Sequence, residues 1–188
     1  DNLAGLLSGP ILSALWMSLK LSLWTALLGC IAGLMVAGAV TRGGLPAGLR
    51  DAVMTFSGVA SNFAGVPLAF AFIATLGRLG LLTVLARDWL GINLYGTGFN
   101  LISFAGLTLA YLYFQIPLMV LIITPAIDGL KREWREAAEV LGATNAQYWR
   151  MVALPVLWPS LLGTLALLFA NSFGAVATAI ALTGSLLS

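Results

Sequence analysis

The sequence contains no histidine and a single cysteine, Cys30, and only 9% of its residues carry charge. Without an imidazole nothing can activate a serine in the usual way. A lone cysteine excludes an intrachain disulfide and a Cys/His metal site. Cys30 lies inside an apolar run and reads as a small packing residue. Lysine is nearly as scarce. The only two, Lys20 and Lys131, each follow leucine, whereas a phosphate-binding P-loop needs Gly-Lys followed by Ser or Thr. The paired aspartates of an aspartyl intramembrane protease are missing from the apolar runs. No catalytic residue and no metal-ligand set is expected, so the chain does not read as an enzyme. A net charge of +2 with scattered basic residues argues against a nucleic-acid partner.

What is present is apolar: 60% of the residues are hydrophobic and the mean hydropathy is +1.00. A water-exposed surface needs far more charge, so the composition is that of a polytopic membrane protein. We read residues 1–188 as one all-α transmembrane domain, a polytopic helical bundle. A span takes about 20 apolar residues, and four runs qualify: Leu21 to Val40, Ala52 to Gly77, Leu101 to Ile127, and Ser160 to Leu182, with Pro159 in the first turn of the last. Loops rich in Lys and Arg tend to stay in the cytoplasm. The loops after the first and third runs hold Arg42, Arg50, Lys131, Arg132, Arg135 and Arg150, against Arg78 and Arg87 between the second and third. Both ends of the chain are then expected outside, with no cleavable signal before Asp1 and an upstream helix missing. Lys20 would snorkel to the outer headgroups.

Between the second and third runs, five glycines from Gly77 to Gly98 bracket Leu79 to Leu90, which is too short to span and predicts an amphipathic helix on the outer surface. Pro67 and Pro117 each remove a helical hydrogen bond, freeing the carbonyls of Phe63 and Tyr113, and are the candidate hinges. Asn62, Gln115, Asn171 and Ser172 are the most polar side chains at depth. In lipid they must face protein or a water-filled path, so they are candidates for path lining or for interhelical hydrogen bonds. Gly29-xxx-Gly33 fits close helix packing.

Half of the sixteen charged residues fall within residues 128–150. Lys131 to Leu141 predicts a helix, with Arg132–Glu136 and Arg135–Glu139 paired four residues apart and Gly142 where a helix ends. Trp134, Ala138 and Leu141 share one face, with Ala137 beside them. Asn145 is positioned to cap a second short helix carrying Tyr148, Trp149 and Val152, which Leu154-Pro155 would end. The expectation is a helix, a bend and a helix under the membrane, presenting Trp, Leu, Tyr and Ala to the cytoplasm.

Glu136-Ala137-Ala138, three residues, Gly142, nine residues, Val152, one residue, then Leu154-Pro155 resembles the EAA signature of the inner-membrane permease subunits of binding-protein-dependent (type I) ABC importers, with valine where the family usually has isoleucine. The phrase "FQIPLMVLIITPAIDGL" and the glycine-rich segment resemble the polyamine, ferric iron and phosphonate type. The resemblance implies that residues 128–155 form a cytoplasmic coupling loop. Its Trp134, Glu136, Ala137, Ala138, Leu141, Gly142, Leu154 and Pro155 would dock on a separate ATPase, with Glu136 facing a basic or helix N-terminal group. It further implies a bacterial inner-membrane location, a cytoplasmic ABC ATPase dimer that holds ATP and Mg, a second permease copy or sister permease, a periplasmic solute-binding protein and surrounding membrane lipid. No cofactor would be bound by this chain. By the same comparison the family's first and last helices are absent. The competing class is an ATP-independent channel or secondary transporter, which usually carries an ionisable residue inside the membrane. The four runs hold none.

Overall fold

The computed structural model describes residues 9–42, 46–63, 66–91, 96 and 103–175. Among the described residues all regular structure is helical: α1 (Gly9–Arg42), α2 (Ala47–Asn62), α3 (Val66–Leu76), α4 (Leu81–Leu90), α5 (Phe104–Asp128), α6 (Arg132–Val140), α7 (Asn145–Tyr148), a π-helical segment (Trp149–Ala153) and α8 (Leu154–Gly174). A helix satisfies its backbone groups within itself, which is why apolar runs in lipid take this form. Among the described residues, four stretches are long and apolar enough to cross a bilayer: Leu15–Thr41, Pro67–Trp89, Phe104–Asp128 and Asn145–Gly174.

The count agrees with the sequence, and the boundaries differ in instructive ways. The run from Ala52 to Gly77 is not one helix, and the second candidate span lies instead at Pro67–Trp89, taking in most of the segment expected to be too short to span. α2 stops at Asn62, Phe63 leaves helical geometry at φ −90°, ψ 77°, and α3 restarts at Val66 with Pro67 in its first turn. A proline there loses no hydrogen bond, because first-turn N–H groups have no partner within the helix. Pro67 thus opens a helix instead of bending one. Pro117 is buried inside α5, which runs unbroken through it and through Pro125. The fourth span starts earlier than expected, at Asn145, and within it α8 begins at Leu154, so Pro155 takes that helix's N-terminal place and Pro159 lies inside it. Its expected end at Leu182 lies outside the described residues, as do Gly98 and its neighbours.

The short helix between the second and third runs forms as α4. It begins after Gly80 and ends at Gly91, whose φ of +66° is left-handed. The turn before it is tight: a Cβ on Gly77 would sit 2.3 Å from the Ile73 carbonyl oxygen and one on Gly80 2.5 Å from that of Thr75.

The bundle is built around α5, whose Ser103 cap accepts a hydrogen bond from the Gly106 N–H at 3.2 Å. α5 packs against α1, α2 and α8, and α8 also packs against α1. The main core joins Ala26 and Ala37 of α1 to Met119, Val120 and Ile123 of α5 and Leu157 and Leu168 of α8. α1 and α5 approach closely because Gly29 and Gly33 face Gln115 and Met119. A Cβ on Gly33 would lie 2.5 Å from the Met119 Cβ, so the expected close-packing role is the observed one. A second cluster holds Leu21, Leu68, Tyr111 and Phe114. Met35, Phe56, Val59 and Phe70 stay exposed, which costs nothing against lipid tails. Arg50 at the start of α2 forms an ion pair with Asp128 at the end of α5. That contact puts the loops after the first and third spans on one membrane face.

Candidate functional site

Two features stand out, a polar loop at one membrane surface and a small polar cluster in the core. The loop begins with α6. Its outward charges pair as the spacing predicts, Arg132 Nε to Glu136 Oε1 at 2.8 Å and Arg135 Nε to Glu139 Oε1 at 3.1 Å. α6 ends in a Schellman arrangement. The Gly142 N–H donates to Glu139 O and the Ala143 N–H to Ala138 O, both at 2.9 Å, while Gly142 takes φ +76°. A left-handed residue is required there, and glycine adopts that conformation without a Cβ penalty.

The next helix is capped by Thr144, not by Asn145. The Thr144 Oγ1 accepts from the Gln147 N–H at 3.3 Å, and Gln147 Oε1 accepts from the Thr144 N–H at 2.7 Å. This is a reciprocal capping box, legible in Thr-x-x-Gln. Leu154-Pro155 does not end that helix. The backbone passes from α7 through the π-helical segment into α8, with the Leu154 N–H donating to Trp149 O, five residues back. Pro155 has no N–H to donate to the Met151 carbonyl, and its ring crowds that carbonyl. A turn wound one residue wider accommodates the proline within a continuous helix, as π-bulges do.

Trp134 is 37% exposed and Leu141 85% exposed, so both reach the loop surface as expected. Glu136 and Ala137 are exposed, Ala138 is half-buried, and Leu154 is exposed at the head of α8. Tyr148 is the exception. It is 6% exposed, turned inward against the bundle, because α7 is continuous with the fourth span and its inner face is already core. Sequence reasoning missed Val140, 87% exposed next to Leu141 in the chain, and Met151, 73% exposed after the bend. Val140 could have been found as the residue preceding Leu141 on an otherwise charged helix.

The proposed path residues separate. Gln115 and Ser172 are fully buried and meet at Thr25 of α1: Gln115 Nε2 donates to Thr25 Oγ1 at 3.2 Å, and Thr25 Oγ1 lies 2.9 Å from Ser172 Oγ. Gln115 Oε1 has no partner. Tyr111 adds a tie between α5 and the end of α8, its hydroxyl donating to Ala175 O at 3.1 Å. Asn171 is half-buried. Asn62 stands apart, exposed at the end of α2 with its Nδ2 donating to Gly58 O of its own helix at 2.8 Å. Thr25 was not anticipated. Its signal was the spacing of Thr25, Gly29 and Gly33, four residues apart and therefore on the face that packs against α5. Among the described residues no group of three or more Cys, Asp or Glu could hold a metal ion.

A family profile described as the binding-protein-dependent transport system inner membrane component matches residues 27–187. The chain belongs to that family. It is 35% identical over 121 residues to a probable sulfate transport system permease protein cysT of Anthoceros angustus, covering 63% of this chain and 42% of that one. A protein of the same name from Chlorella vulgaris is 27% identical over 178 residues, covering 93% and 62%. The molybdenum transport system permease protein ModB of Escherichia coli K12 is 28% identical over 170 residues, covering 90% and 70%. The chain spans less than two thirds of the length of the two cysT relatives. These names carry sulfate and molybdenum, so the finer resemblance to polyamine, ferric iron and phosphonate permeases gains no support from them. For a member of this inner-membrane family, helices with apolar, exposed flanks are the expected construction.

Proposed function

We propose that this chain is the transmembrane subunit of an ATP-driven solute importer, lining part of the translocation path and receiving the motion of a separate ATPase through residues 128–155. The observation that carries the reading is the construction of that loop. A short helix exposes Val140 and Leu141 and ends on a glycine-fixed bend, and the segment after the bend is continuous with a membrane span. A surface so connected passes a push from a docked partner directly to a transmembrane helix. An ordinary charged connection needs neither the exposed apolar pair nor the continuity.

In this reading Trp134, Ala137, Ala138, Leu141 and Val140 seat in the ATPase, Glu136 meets a basic or helix N-terminal group there, and Gly142, Leu154 and Pro155 shape the bend and the head of the span. ATP and Mg²⁺ bind to the ATPase dimer. A second permease copy or a sister permease completes the path, and a solute-binding protein delivers solute from the opposite face. The relatives' names make sulfate and molybdenum the first solutes to test. Gln115 and Ser172 hold spans together through Thr25, whereas Asn62, an amide exposed at the break between α2 and α3, faces the path. An amide facing lipid would be penalised.

The test is Leu141→Glu in the full subunit, reconstituted with its ATPase and binding protein. Leu141 is 85% exposed, so thermal unfolding is expected to be unchanged while ATPase association and solute uptake are lost. Normal uptake by a folded Leu141→Glu subunit would overturn the assignment.

A further inference from the structure

A cavity of about 270 Å³ lies behind α6, where two spans end. Its walls include Thr41 at the end of the first span, Ile127 at the end of α5, Lys131 and Arg135 of the loop, and Tyr148 and Trp149 after the bend. Arg132 and Asp128 complete its charged lining. Three cations therefore face one anion, and that anion is already engaged by Arg50. Glu136 and Glu139 each occupy the Nε of one arginine, which leaves the terminal nitrogens of both guanidinium forks as further donors. The Lys131 ammonium sits 6.0 Å from the centre of the Trp134 ring. Lys131 is also the N-cap of α6, yet it makes no side-chain cap hydrogen bond, so the positive end of that helix adds to the field. Glu133 is the acidic residue of the first turn and is exposed.

We propose that this cavity binds a phosphate anion, presented as the headgroup of an anionic phospholipid or as free phosphate. The chemistry fits on three counts. One lysine, two arginines and Tyr148 stand among its lining residues. The apolar wall of Ile127 and Trp149 adjoins the membrane-spanning helices. The level, set by Thr41 and Asp128 as the last residues of two candidate spans, is that of lipid headgroups, where basic pockets between helices take up anionic lipid. The inference stands without the transport reading, since it depends only on where the spans end. Its consequence is that an occupant would bridge the end of the first span, the end of α5 and the start of α6.

The experiment is native mass spectrometry of the detergent-purified full subunit, titrated with phosphatidylglycerol, phosphatidylcholine or inorganic phosphate. Phosphatidylglycerol is expected to bind more tightly than phosphatidylcholine. Lys131→Gln, which breaks none of the ion pairs described, is expected to weaken it about fivefold, the effect of roughly 1 kcal/mol per basic residue near a headgroup. Arg150→Gln, which removes a loop charge that does not line the cavity, is expected to leave binding unchanged. Displacement of phosphatidylglycerol by millimolar inorganic phosphate would identify soluble phosphate as the natural anion, and resistance to it would identify the lipid. Equal binding of the two lipids, or equal losses in Lys131→Gln and Arg150→Gln, overturns the proposal. Unchanged melting of Lys131→Gln confirms that a loss arises at the site.

Discussion

Gly142 offers a substitution whose effect on the loop can be worked out from backbone geometry alone. Its φ is +76°, and a Cβ added there meets nothing within 4 Å. Gly142→Ala therefore creates no clash, and its whole cost is that of forcing an L-residue into the left-handed region, roughly 1–2 kcal/mol. At room temperature that is about a 5- to 30-fold loss in the population of the intact bend. Two hydrogen bonds depend on it, from Gly142 and Ala143 back to Glu139 and Ala138. Faster hydrogen exchange is expected at those two amides in Gly142→Ala. The melting temperature of the membrane bundle should barely move, because α6 buries no residue. Gly142→Asn should recover most of the protection, since asparagine tolerates the left-handed conformation. ATP-driven uptake is expected to follow the exchange rates, reduced in the alanine variant and largely restored in the asparagine variant. Wild-type exchange in Gly142→Ala, or a Gly142→Asn variant no better than alanine, would refute the reasoning.

Gly33→Ala should lower stability by about 1–3 kcal/mol, the usual cost of overpacking, read by thermal unfolding in detergent. Met119→Ala should not rescue it, because the atom met at 2.5 Å is the Met119 Cβ. Gln115→Ala is expected to be destabilising, with about 0.6 kcal/mol from the lost interhelical bond and the rest from the cavity, while uptake per folded complex stays the same. Asn62→Ala should do the reverse, since its amide bonds only within its own helix: melting is retained and uptake changes. Cysteines at Ala143 and at Gly96, which lies between the candidate spans Pro67–Trp89 and Phe104–Asp128, should react with an impermeant reagent from opposite membrane faces, Ala143 from the cytoplasmic one. Labelling of both from one face would invalidate the topology.

The sequence reading succeeded where one local rule governs one residue. The helices over the first and third apolar runs, the two ion pairs of α6 and the left-handed Gly142 each follow from composition or spacing, and each is present. It failed where the outcome depends on which helix is a neighbour. Gln115 and Asn62 are both amides beside a proline, and only packing against Thr25 and Gly29 separates a buried tie from an exposed side chain. Tyr148 reads as a surface aromatic until α7 proves continuous with α8, which turns its inner face to the core. The prolines mislead for a related reason. Pro67, Pro155 and Pro159 are chemically alike, and a first-turn position, a widened turn or a helix interior is decided by backbone on both sides that a single residue does not encode.

The continuity of α7, the π-helical segment and α8 has a mechanical consequence. Thirty residues from Asn145 to Gly174 form one continuous helical stretch of about 45 Å, with one end at the loop. Rocked by about 10° around its loop end, such a stretch sweeps its far end through about 8 Å, roughly the spacing between packed helices. The member that would be moved is a lever, and its reach is set by a helical backbone that continues through Pro155.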